Sequence, residues 1–344
     1  MKERLDKMEI YRCFLLPCTS LCDYYKEVMR VIQYIGVLLF FFLVSCEKND
    51  VEPQKTRTLM VYLAGDNNLS GHMQKNISSM MSAWKESYNA NIVIYFDAPN
   101  AAPELYTFRF KGKEVEKQVL KTYEEMDSAD PEVLKKILNE MQDLYPSDSY
   151  GLILGSHASG WIPSGASGRS NRMLHAEPVL TRSFGKDYTG SNEMDTRDMA
   201  KAIPFNKENL EFILFDACLM SSIEVLYDLR DKAKYVIASP AELPAPGFPY
   251  ARVMPYFWGK GKDLEKDLVK VCDEFWDYYN TYNATNRFGT IALIKMDEME
   301  HLFDLTREVL QGQKENVATI KQKTITLSVP VKQAQMPPDF PRHT

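Results

Sequence analysis

From residue 58 onward the chain alternates short, nearly continuous apolar runs with longer amphipathic ones. Thr58 to Ala64 and Asn91 to Asp97 read as strands buried on both faces. Between them Gly65-Asp66-Asn67-Asn68 turns the chain, and one of these polar side chains is expected to cap a helix over Gly71 to Lys85. Glu104 to Phe110 and Glu114 to Leu120, separated by Lys111-Gly112-Lys113, predict a β-hairpin. Asp130 caps a helix that Pro131 opens and that runs to about Leu144. Further strands are predicted at Gly151 to Leu154, Leu210 to Phe215, Lys234 to Ala238 and Thr290 to Lys295. Helices are predicted over Ala217 to Leu229, Leu264 to Tyr282 and Met296 to Leu310. Strand and helix in alternation imply an α/β fold, a mostly parallel sheet with helices on both faces.

Composition changes little in this picture. The 344 residues carry a formal net charge of −6 and are 45% hydrophobic, with no basic excess to suggest nucleic acid. The first 46 residues stand apart. Met29-Arg30 precedes the apolar run Val37 to Val44, which ends in Leu43-Val44-Ser45-Cys46. This is the pattern of a signal peptide closing on a lipobox, with Cys46 as the lipid-bearing residue and Met29 as the expected start. The run is shorter than the ~20 residues a spanning helix needs, so a transmembrane anchor is the lesser expectation. Residues 47–55 follow as a polar tether, 56–312 as the folded domain and 313–344 as a tail without assigned structure, its prolines gathered in Val329 to Thr344. A bacterial envelope protein, anchored on the periplasmic or cell-surface face, is the expected result.

Two strand ends carry the candidate chemistry. Leu210 to Phe215, apolar except for Glu211, stops at Asp216 and delivers Cys218. With Asp216 as N-cap, Cys218 is expected in the first turn of a helix, where the positive end of the helix dipole favours the nucleophilic thiolate. Taken alone, Cys218 reads as a small buried hydrophobe. The second strand end changes that: Gly151 to Leu154 leads through Gly155-Ser156 to His157. If both strands lie in one parallel sheet, imidazole and thiol emerge on the same edge, in the crevice where open α/β sheets bind ligands. Cys272 sits in a helical run and reads as packing, and two mature cysteines imply no disulfide scaffold.

Apolar block, His157, spacer, apolar block and then Ala217-Cys218 is the layout of the caspase-like cysteine peptidases. Within that group the chain resembles the clostripain family in Tyr62 to Ser70 (YLAGDNNLS), His157 to Trp161 (HASGW), Phe215 to Leu229 (FDACLMSSIEVLYDL) and Tyr235 to Tyr250 (YVIASPAELPAPGFPY). The resemblance spans roughly Thr56 to Gln311. It implies a caspase-like sandwich and an endopeptidase that cleaves proteins or peptides after Arg or Lys. Cys218 would be the nucleophile and His157 the proton carrier, and the backbone N–H groups of Ala158 and Cys218 would form the oxyanion hole. Asp216 would bind the basic P1 side chain, with Glu242 as a candidate second acid. It also implies self-cleavage after a basic residue in the irregular stretch 165–192, where Arg169 and Arg172 are candidates. No organic cofactor is implied. Calcium dependence is raised by the resemblance, although no acidic loop with ligand spacing is visible. One departure stands out, since Ala158 replaces the glycine that follows the histidine in the family. A need for positive φ there would strain alanine, and it motivates the alternative of a catalytically silent module that binds peptides or protein partners.

Overall fold

The computed structural model describes Met29 and residues 57–160, 184–190, 193–259, 261–281 and 288–313. The chain divides into two units, Met1–Pro53 and Gln54–Thr344, and the fold described below belongs to the second. The expected leader with Cys46, the tether, Arg169, Arg172 and residues 314–344 lie outside the described residues.

The strands are β1 Thr58–Ala64, β2 Asn91–Ala98, β3 Ala101–Lys111, β4 Glu114–Thr122, β5 Tyr150–Gly155, β6 Leu210–Asp216, β7 Tyr235–Ala238 and β8 Ala292–Lys295. They form one sheet in the order β4-β3-β2-β1-β5-β6-β7-β8. The five central strands are parallel, and the β3–β4 hairpin and β8 close the two edges antiparallel. The order reverses between β1 and β5, and such a switch point opens a crevice beyond the carboxyl ends of the strands.

Both faces of the sheet are covered, which is why the central strands read as continuous apolar runs rather than alternating ones. All seven residues of β1 are buried. Met60, Tyr62 and Ala64 face one core while Leu59, Val61 and Leu63 face the other. Each fully buried aliphatic or aromatic side chain contributes about 1.5–3 kcal/mol. The helices that cover these faces are α1 Ser70–Ala83, α2 Pro131–Leu144, α3 Thr196–Ala202, α4 Ile223–Asp228, α5 Gly261–Thr281 and α6 Met299–Gly312. Leu134, Ile137, Leu138 and Met141 of α2 join α3 and α4 on the first face. Met73, Ile77 and Met80 of α1 join Leu264, Leu268, Val271 and Phe275 of α5 on the second. Asp130 caps α2 as expected, its carboxylate accepting from Glu132 N at 2.8 Å. The side-chain cap expected before α1 is absent: the N-cap residue is Leu69, and Asn67 Oδ1 accepts from Leu69 N within the preceding turn, outside the helix. Helix α3 had no signal strong enough to be anticipated in the sequence.

Candidate active site

Register brings the two strand ends together. Leu63 of β1 pairs with Gly155 of β5, and Gly155 pairs with Asp216 of β6. His157 and Cys218 each lie two residues past that row, on adjacent parallel strands spaced about 4.8 Å apart. Beyond the strands the two loops touch. Gly160 holds φ +76°, and a Cβ there would sit 2.8 Å from the carbonyl oxygen of Leu219. Only glycine allows the histidine loop to lie so close against the cysteine loop.

The cysteine loop is not the helix its sequence suggests. Residues 217–222 form turns, and α4 begins at Ile223. Leu219 takes φ +62°, a left-handed conformation that breaks any helix here. Leu219 N donates to Ala241 O and Ser221 N to Ser239 O, so the loop is stitched to the segment after β7. Ala217 and Met220 are buried in the core, which accounts for the apolar residues that mimicked a helical stripe. Cys218 therefore lies outside any helix N-terminus, and the expected dipole activation is corrected. Its Sγ accepts from Leu243 N at 3.3 Å and lies 3.9 Å from Leu243 O. Burial pushes the thiol pKa up, and the charges of Glu242 and Asp216 add to that effect against the bond from Leu243. The resting group is a thiol that needs a base.

His157 lies beyond the end of the adjacent strand. Burial and the charge of Lys186 both lower its pKa, so the imidazole is neutral at neutral pH. Its Nε2 lies 2.6 Å from Asn68 Oδ1, in the turn after β1. No hydrogen bond joins imidazole and thiol directly among the described residues. The backbone around His157 is pinned by residues 184–190: Gly185 N donates to His157 O, and Ala158 bridges Phe184. Ala158 is 4% exposed and is absent from the positive-φ residues, so alanine sits at this position without left-handed strain. Neither the Ala158 nor the Cys218 backbone N–H donates a hydrogen bond among the described residues.

Asp216 does not cap a helix. Its Oδ2 accepts from Tyr250 OH at 2.9 Å and from Asn76 Nδ2 at 3.4 Å, and Phe248 N also donates to the carboxylate. Gly247, at φ +70°, lies flush against it, since a Cβ there would stand 2.5 Å from both carboxylate oxygens. Asp216 is largely enclosed by the fold yet retains some solvent exposure. Burial raises its pKa to about 6, and no cation pairs with it among the described residues. Glu242 is exposed on the rim and acts on the Cys218 thiol through its charge; it makes no hydrogen bond to Asp216. Asn76 and Tyr250 hold the carboxylate in place and carry no signal that singles them out in the sequence.

A profile of the clostripain family matches residues 61–336. The chain belongs to the clostripain family. It is 29% identical over 254 residues to clostripain of Hathewaya histolytica, an alignment that covers 66% of this chain and 47% of that protein. The chain thus spans about half the length of this curated relative. Among solved structures it resembles a secreted C11 cysteine protease of Bacteroides thetaiotaomicron bound to an irreversible peptide inhibitor, at 32% identity and TM-score 0.61, covering 74% of this chain and 70% of the other. It also resembles an inactive zymogen C11 protease of Parabacteroides distasonis, at 35% identity and TM-score 0.59, covering 73% and 65%. The expected caspase-like fold and family assignment hold. Ala158, at the position where the family's usual motif has glycine, is accommodated by ordinary backbone geometry.

Calcium finds no cage among the described residues: no three His, Cys, Asp or Glu side chains are arranged to hold an ion. Two of the acids that gather beyond β1 and β2 are held by protein donors, whereas Asp97 at the end of β2 keeps its Oδ1 buried without a partner among the described residues. Asp187 accepts from the amides of Ser128, Thr189 and Gly190, and Asp66 from Thr189.

Proposed function

We propose that this member of the clostripain family is a cysteine endopeptidase that cleaves after Arg or Lys. The observation that carries the specificity is Asp216, a carboxylate two residues before Cys218 that the fold encloses and that no cation pairs with among the described residues. With a pKa of about 6 it is ionised at neutral pH, and a guanidinium or ammonium entering the cleft supplies the missing positive charge. Glu242 on the rim adds negative potential to the same mouth.

The chemistry follows from the pairing of strand ends. The Cys218 thiol loses its proton to His157 as sulfur attacks the scissile carbonyl carbon. The carbonyl oxygen becomes an oxyanion within reach of the Ala158 and Cys218 amides. Collapse of the tetrahedral intermediate breaks the C–N bond, and His157 gives the proton to the departing amine. A water molecule, deprotonated by the same imidazole, then hydrolyses the thioester and returns the proton to sulfur.

Self-processing at Arg169 or Arg172 and lipid attachment through Cys46 extend the same proposal. They are supported by the basic residues of the 165–192 stretch and by the Leu43-Val44-Ser45-Cys46 motif. An arginine-directed covalent peptide probe tests the central reading. Intact mass should show one adduct, absent from Cys218→Ala, whereas labelling by an aspartate-directed probe alone would overturn it.

A further inference from the structure

We infer that Asn68 is a positioning residue for His157, a third member of the reacting group that sets which imidazole nitrogen faces the thiol. The inference rests on the proposed roles of His157 and Cys218. Its basis is the bond of 2.6 Å between Asn68 Oδ1 and His157 Nε2, formed across the sheet switch point between β1 and β5.

Both ends of that bond are fixed by backbone contacts rather than left to chance. Asn67, only 1% exposed, donates from Nδ2 to Ala64 O and Lys186 O and accepts from Leu69 N, which rigidifies the turn that presents Asn68. On the other side, His157 O accepts from Gly185 N, and Ser156 Oγ donates to Ala64 O. An amide oxygen only accepts, so the imidazole proton must sit on Nε2. Nδ1 is then left with its lone pair, free to take the thiol proton. Without Asn68 the ring is free to adopt the other tautomer or rotate away, and the acid–base step loses its preorganisation.

The choice of a neutral amide has its own consequence. The charged and titratable groups around this centre are Lys186 from the segment beside the histidine loop, Cys218 opposite, and Asp216 and Glu242, which act on the thiol. None of these is a carboxylate hydrogen-bonded to the imidazole. Asn68 thus orients the ring without adding the full negative charge by which a carboxylate would hold the imidazole protonated at rest.

The test compares Asn68→Ala and Asn68→Asp with the wild-type full chain on an arginyl peptide. Asn68 is exposed, so melting temperatures should match. Asn68→Ala should lower kcat by ~10-fold to ~100-fold with KM little changed, a part of the ~10²–10⁴-fold that general acid–base catalysis supplies. Asn68→Asp restores an acceptor and adds a charge. It should recover most of kcat while moving the acidic limb of the pH profile up by about one pH unit. Alkylation of Cys218 by iodoacetamide at pH 7, which needs no P1 recognition, should slow in Asn68→Ala. Wild-type kcat, pH profile and alkylation rate in Asn68→Ala would overturn the inference while leaving the peptidase reading intact. A wild-type chain that cleaves nothing in a manner dependent on Cys218 would overturn both.

Discussion

Replacing Asp216 by Asn should make the protein more stable and less able to cleave after basic residues. In the native fold the carboxyl pKa stands at about 6, against an ordinary 3.8. The native state therefore binds more protons than the unfolded chain between these values, and stability falls as pH rises through that window. Above pH 6 the penalty is complete. A displacement of this size corresponds to about 3 kcal/mol. Asparagine escapes the penalty and keeps the bond from Tyr250 OH, but its amide turns one donor toward the donating Phe248 N, a loss of about 1 kcal/mol. A net gain of about 2 kcal/mol is expected at pH 8, shrinking to nothing or below as pH approaches 4. Urea unfolding at both pH values measures it. Over the same range kcat/KM for an arginyl peptide should fall by about 100-fold or more, because the partner charge is gone. An Asp216→Asn protein less stable than wild type at pH 8, yet still selective for Arg, would refute the account of this pocket.

Three further changes probe the geometry. Gly160→Ala forces a Cβ against the Leu219 carbonyl at φ +76°; it should separate the two catalytic loops, lower kcat and cost about 1–2 kcal/mol from backbone strain alone in thermal unfolding. Ala158→Gly should leave kcat within about twofold and cost about 0.5–1 kcal/mol, because the position already has an ordinary backbone and a buried methyl; a large gain in activity would show that alanine impairs the site. With the thiol pKa raised and the imidazole pKa lowered, iodoacetamide alkylation of the free protein should climb steadily with pH past 9. A plateau between pH 5 and 8 would reveal a resting thiolate–imidazolium pair instead.

Much of this site was legible because buried parallel strands leave a plain sequence signal. The runs ending at Gly155 and Asp216 are apolar on both faces, and the residues that follow them were the first chemistry to look for. The cysteine loop was misread for a physical reason. Ala217 and Met220 pack into the core at spacings a helix would also produce, while the left-handed Leu219 and the bonds from its loop to Ser239 and Ala241 depend on a segment that follows β7. Asn68 reaches His157 across 89 residues of chain, and Tyr250 reaches Asp216 across 34. Neither contact has a local pattern. Gly247 stands in sequence among Pro244, Pro246 and Pro249, and its close approach has meaning only once the Asp216 carboxylate is known to lie beneath it.

The most direct test of the central claim is hydrolysis of fluorogenic peptides ending in Arg, Lys, Asp or Asn by the full chain, beside Cys218→Ala. Cleavage after Arg or Lys, lost in the variant, is the predicted result. Cleavage after Asp or Asn instead, or none at all from a folded protein, would contradict it.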